Sequence, residues 1–121
     1  MSFKATVRRT GDVAIVDLSG RLTLGEGSGT LRSTIKDLVA QDQKKILINL
    51  KDVSYIDSSG LGEMVGAYAS VSNAGGTIKL LNAQSRVRDL LTVTKLYSVF
   101  EDFTNESIAL ISFTGSETAR A

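Results

Sequence analysis

The hexapeptide KILINL, residues 45–50, constrains this chain more than any other stretch. It is too short for a helix, and its apolar residues do not alternate with polar ones, so a strand made from it buries both faces. That is the situation of a strand inside a parallel sheet. Parallel neighbours are joined by crossovers rather than tight turns, so the flanking sequence has to supply helices.

It supplies them. Before the central run, VAIVDLSG (13–20) is β-branched and ends at a glycine, and FKATVRR (3–9) makes an antiparallel partner for it across a turn at Gly11 and Asp12. Leu31, Ile35, Leu38 and Val39 then fall on one helical face, with Arg32, Lys36 and Asp37 on the other. After the central run, Leu61, Met64, Val65 and Tyr68 mark a second stripe on a helix from about Ser58 to Asn73. NAGG (73–76) ends that helix, and TIKLLN (77–82) follows as a strand. Val87, Leu90, Leu91 and Thr94 suggest a third helix. FTNESIALISF (103–113) suggests a fourth, with Thr104 or Asn105 as its cap and Glu106 near the positive end of its dipole.

The expected architecture is therefore α/β. It has a mixed sheet of about four strands, an N-terminal antiparallel hairpin followed by parallel right-handed crossovers, and about four packed helices. Residues 1–113 read as one domain and TGSETARA (114–121) as a flexible C-terminal tail. A chain of 121 residues is long enough for one core, burying roughly two-thirds of its unfolded surface.

Composition removes several functions. With no cysteine and no histidine, the usual zinc ligands, thiol nucleophiles and imidazole bases are missing, which excludes Ser-His-Asp and Cys-His catalysis and leaves no metal site to expect. Fourteen basic and thirteen acidic residues are interspersed, with no basic patch of the kind nucleic acid requires. The N-terminus MSFKATVRRT lacks the apolar centre of a signal peptide, and no run is long enough to insert in a membrane. A cytoplasmic protein is the expectation.

YIDSSGLGEM (55–64) stands where open α/β sheets place their working residues, just past the carboxyl end of a central strand. Asp57 is a natural N-cap for the backbone N–H of Ser59 or Gly60, and Ser58 and Ser59 occupy the first turn. A phosphate on such a hydroxyl meets free N–H groups and the positive helix end, so the helix tolerates it. The surface changes instead: about −1.5 to −2 charges appear, enough to repel an acidic or apolar partner. Gly60, Gly62 and Gly66 each cost the helix about 0.8–1 kcal/mol against alanine. A flat face that another backbone can approach would offset that cost. Asp-Ser-Ser ahead of an apolar stripe is also how an unregulated helix begins, and capping alone does not separate the two.

Competing sites are weaker. GEGSG (25–29) lacks the spacing and lysine of a P-loop and reads as a turn before the first helix. Arg86, Arg88 and Asp89 read as a solvated face rather than a partner site. Tyr97, Phe100 and Phe103 read as core or as packing under the last helix rather than as a binding box. A receiver with Asp57 as phosphoacceptor needs an acidic pair at the first strand end, and only Asp17 is available, inside the strand. A serine enzyme built on Ser58 has no histidine base, and nothing in the spacing recommends Lys51 or Lys79.

LKDVSYIDSSGLGEMVGAY (50–68) resembles the signature of STAS domains, specifically bacterial anti-sigma factor antagonists. The preceding KKILINL, the following GGTIKLLN and the later VRDLLTVTKLYSVFEDF extend the resemblance over nearly the whole chain. The resemblance implies a partner-switching regulator without catalytic activity. Its unphosphorylated form binds an anti-sigma factor that is also a serine kinase of the histidine-kinase-like ATPase type, which frees a sigma factor. Phosphorylation breaks that complex and a phosphoserine phosphatase restores it. The kinase brings ATP and magnesium, so the chain itself needs no cofactor, and weak self-association is left open.

By position, Ser58 matches the phosphoacceptor, Asp57 the acid before it and Ser59 its neighbour, while Gly60, Leu61 and Gly62 match the partner-contact surface. The chain departs from the pattern at GRLTLGEGSG, where Arg21 and Thr23 replace acidic residues common after the second strand. A docking subunit of a membrane transporter of the lipid type is the alternative within the same fold.

Overall fold

The computed structural model describes the backbone of residues 3–120, and side chains are described for residues 3–114. The chain runs β1 (Lys4–Thr10), β2 (Val13–Leu22), α1 (Ser28–Ala40), β3 (Lys45–Ile56), α2 (Ser58–Asn73), β4 (Thr77–Leu81), α3 (Ser85–Val93), a 3₁₀ turn (Leu96–Ser98), β5 (Asp102–Phe103) and α4 (Glu106–Arg120). The five strands form one sheet in the order β1-β2-β3-β4-β5. β1 pairs antiparallel with β2, and every later pair is parallel.

The central run behaves as its composition requires. Ile46, Leu47 and Ile48 are fully buried, and their side chains divide between two clusters on opposite faces of the sheet. Ile46, Ile48 and Leu50 join Ala14, Val16, Leu18, Ile78 and Leu80 under α1, α2 and α3. Leu47 joins Val13, Ile15 and Leu81 under α4, which contributes Ala109 and Phe113. Three helices therefore cover one face and α4 alone covers the other.

The α/β class and the antiparallel-then-parallel order hold, with five strands rather than about four. β5 is only two residues long and pairs Asp102 and Phe103 with Leu80 and Leu81. Two residues carry no readable alternation, so Phe103 passes for the start of the last helix in sequence. That helix instead begins at Glu106, with the Asn105 side chain accepting the Ile108 N–H at 3.0 Å, as the capping pattern predicts. Its backbone continues to Arg120, through most of the stretch expected to be a loose tail. β3 also runs past KILINL to Ile56, so the Asp-Ser-Ser motif follows the strand directly.

Side-chain placement corrects two expectations. Val65, read as part of the inner stripe of α2, is 38% exposed, and Met64, Ala67 and Val71 fill the buried face instead. Tyr97 is 60% exposed rather than packed, whereas Phe100 is buried and meets Tyr68 edge-on at 5.7 Å.

Candidate functional site

β3 delivers the chain to the start of α2, and Asp57 fastens that junction. In extended conformation at the N-cap, its Oδ1 accepts the Gly60 N–H at 2.8 Å. Its Oδ2 accepts the Leu24 N–H at 3.3 Å, and its own backbone N–H donates to the Leu22 carbonyl at 3.3 Å. One carboxylate thus joins the first turn of α2 to the loop after β2. The loop is closed by reciprocal backbone bonds between Thr23 and Glu26 (2.7 and 3.1 Å), and it lifts Leu24 into solvent, 75% exposed.

The six residues singled out by sequence divide by direction. Ser58 and Gly62 are exposed, Asp57, Ser59 and Leu61 are half-buried, and Gly60 is buried. Leu61 packs against the main core. A β-carbon at Gly60 would lie 2.0 Å from the Leu22 carbonyl oxygen, so this glycine lets α2 close onto the end of β2. Gly60, expected on the contact surface, is buried in the structure, where its lack of a side chain serves the packing of α2 on β2. Gly62 and Gly66 face open space, and with Ser58, Val65 and Ala69 they make an exposed face of small side chains on α2.

Leu24 and Val65 are additions that the sequence reading missed. Leu24 left one signal, a leucine set beside glycine in a turn; Val65 left none, because its spacing fits the inner stripe as well as the outer face. Of the glycines that follow Leu24, Gly27 serves packing, whereas a β-carbon at Gly25 or Gly29 would meet nothing within 4 Å. Gly27 has φ +102°, and a β-carbon there would meet the Phe3 ring at 2.8 Å.

Other candidates are engaged elsewhere. Asp17 accepts from Arg8 Nε at 2.6 Å and from Asn49 Nδ2 at 2.8 Å. Partial burial pulls its carboxyl upward, but hydrogen bonds from Arg8 and Asn49 outweigh this and hold it below the usual carboxylate range. Lys79 is buried under α4, where its ammonium donates to Ser112 Oγ at 2.8 Å, pairs with Glu101 at 3.3 Å and stands 4.8 Å from the Phe113 ring centroid. Lys51 is exposed. Arg88 pairs with Asp102 at 3.5 Å, which leaves Arg86 as the outward cation of α3. Among the described residues no group of three acidic side chains is placed to hold a metal, and no helix is long and apolar enough to cross a membrane.

Comparison with known proteins agrees with this geometry. The STAS domain family model matches residues 4–109. The chain is 32% identical over 101 residues to the anti-sigma-B factor antagonist of Bacillus subtilis, covering 84% of this chain and 91% of that protein. It is 31% identical over 99 residues to the anti-sigma F factor antagonist of Paenibacillus polymyxa, covering 81% and 84%. The fold matches that of the Bacillus cell fate determinant SpoIIAA in its phosphorylated form with a TM-score of 0.71 at 22% identity, over 91% of this chain and 99% of that one. With a helical face and strand-end motif of this kind on a matching sheet, the chain belongs to the STAS domain family, among its anti-sigma factor antagonists.

Proposed function

We propose that this protein is a phosphorylation-gated antagonist whose switch is Ser58. In its unphosphorylated form it binds an anti-sigma factor that is also a serine kinase, and a sigma factor is released. Phosphorylation of Ser58 dissolves the complex, and a phosphoserine phosphatase resets it. The chain carries out no chemistry of its own in this cycle.

The observation that carries this reading is the position of Ser58. It is exposed, immediately follows the Asp57 cap, and borders the small-residue face of α2. At that first-turn position a phosphate is tolerated by the helix, because the macrodipole and the free N–H groups there favour negative charge. Its effect falls on the partner, which must then desolvate about 1.5–2 negative charges to dock. Asp57 keeps its cap and loop bonds throughout, so the surface changes charge while the fold stays put. The fold match to SpoIIAA in phosphorylated form supports a scaffold of this type carrying phosphate.

Affinity capture from the source lysate with ADP present, using wild-type, Ser58→Ala and Ser58→Asp baits, tests the reading. The expected result is one ATPase-type kinase recovered by the first two baits and lost from the third, with all three baits melting alike. Equal recovery by all three, or recovery of a membrane transporter instead, would replace the switch with constitutive docking.

A further inference from the structure

Two arginines share one tyrosine ring at the strand end that leads into Ser58. The guanidinium carbon of Arg21 lies 5.0 Å from the Tyr55 ring centroid, and that of Arg86 lies 5.9 Å from it. Arg21 comes from β2 and stands in register with Tyr55 on β3, whereas Arg86 comes from the first turn of α3. Both arginines are exposed and Tyr55 is half-buried.

What sets this pair apart is the ring they share; the other arginines whose side chains are described pair with carboxylates or, for Arg9, with the Gln41 amide oxygen at 2.8 Å. Arg8 is held by Asp17 and Glu106, Arg32 by Glu63, Arg88 by Asp102 and Lys79 by Glu101. Neither Arg21 nor Arg86 has a carboxylate partner among the described residues. The quadrupole of the ring attracts each guanidinium to its place, but it leaves their mutual repulsion uncancelled. Arg86 also sits at the amino end of α3, where the macrodipole disfavours a cation. Two unfavourable features, a pair of like charges and a cation at the wrong helix end, are both relieved by one added anion. The spot lies next to the proposed switch: Tyr55 is three residues before Ser58, and Arg21 precedes Leu22, whose carbonyl accepts the Asp57 N–H.

We propose that Arg21 and Arg86, stacked on Tyr55, receive carboxylate side chains of the protein partner, so that the partner presents Asp or Glu opposite them. The proposal rests on the function proposed above and adds the chemistry of the partner's surface. The arginine fork suits a carboxylate because two parallel N–H groups meet its two oxygens. The stack on Tyr55 holds the forks in place before docking, which lowers the ordering cost. Arg21 stands where the family resemblance leads one to expect an acid, so the charge of this contact is inverted and a partner built to meet an acid is rejected.

Two measurements decide it. In the first, the full chain is titrated with hexaglutamate at low salt while the arginine Nε–Hε NMR signals are followed. The signals of Arg21 and Arg86 are expected to move saturably, those of Arg8 and Arg32 to stay, and the shifts to vanish at about 0.5 M NaCl. Shifts at all arginines alike, or at none, overturn the anion site. In the second, the Arg21→Glu/Arg86→Glu double variant is added to the capture experiment. A loss of the kinase of about tenfold or more, with unchanged melting, supports docking; undiminished recovery overturns it. If even the wild-type bait recovers no kinase, the antagonist reading itself fails, and the hexaglutamate titration alone decides whether the anion site stands.

Discussion

A β-carbon on Gly60 would stand 2.0 Å from a backbone oxygen of β2, while at Gly62 and Gly66 it would meet nothing within 4 Å. Replacing Gly60 by alanine therefore has to push α2 off the end of β2, and the expected loss is about 3 kcal/mol or more, read from urea denaturation. Gly62→Ala and Gly66→Ala should do the reverse, each stabilising by about 0.8–1 kcal/mol through helix propensity alone. If Gly62→Ala stabilises the fold and still weakens kinase capture, the glycine is there for the partner; if it stabilises with capture intact, the open face is not part of the contact. The cost of all three glycines is legible in sequence. Which of them points inward is not, because direction depends on how far α2 rotates about its axis when it packs on β2 and β3. Asp57 was legible as a cap, but its second bond to Leu24 joins residues 33 apart and leaves no local trace.

α4 docks on its face of the sheet through charge as well as apolar contact. Arg8 on β1 bridges Asp17 on β2 and Glu106 at the start of α4, with Nη2 to Glu106 Oε1 at 2.6 Å and Nη1 to Oε2 at 3.0 Å. Asn49 extends the network from β3, and Asn82, just past β4, reaches Asn49 at 3.3 Å. The Arg8 hydrogen bonds hold the Glu106 carboxyl below its ordinary value, and Asp17 is held down as described. Since both folded-state pKa values are depressed, the unfolded chain binds more protons at acid pH. The stabilisation is complete above the ordinary carboxylate pKa of about 4 and is lost as pH falls through the lower folded values. Arg8→Ala should accordingly cost about 1 kcal/mol at neutral pH, and the difference from wild type should shrink toward zero near pH 2, as urea midpoints at the two pH values would show. A difference that persisted at low pH would assign the role of Arg8 to packing of its stem. In sequence Glu106 was legible as a residue favourable to the dipole and Asp17 as an acid within a strand; their common partner was not, because Arg8 and Glu106 are 98 residues apart.

Across the molecule the two cores are unequal. Three helices cover one face of the sheet, and the opposite face rests on Val13, Ile15, Leu47 and Leu81 against Ala109 and Phe113 of α4. Native-state hydrogen exchange should therefore find its slowest amides in residues 46–48 and 78–80, where both faces are covered, and should find the first turns of α4 opening before α2. Equal protection of α2 and α4 would mean that Lys79 and the Arg8 network bind the last helix as firmly as the main core binds the others. The sequence by itself determined the class and the order of elements, because the double-sided burial of KILINL forces crossovers and the helical stripes of period 3.6 supply the helices that cover such a sheet. It also placed Asp57 and Ser58 at the strand end, because capping is a matter of a few adjacent residues. The tertiary structure alone decided the fifth strand, the outward turn of Val65, the inward turn of Gly60 and the meeting of Arg21, Tyr55 and Arg86. Each of these depends on the register and rotation of elements distant in sequence, which are set by the packing of the whole chain and by no local pattern.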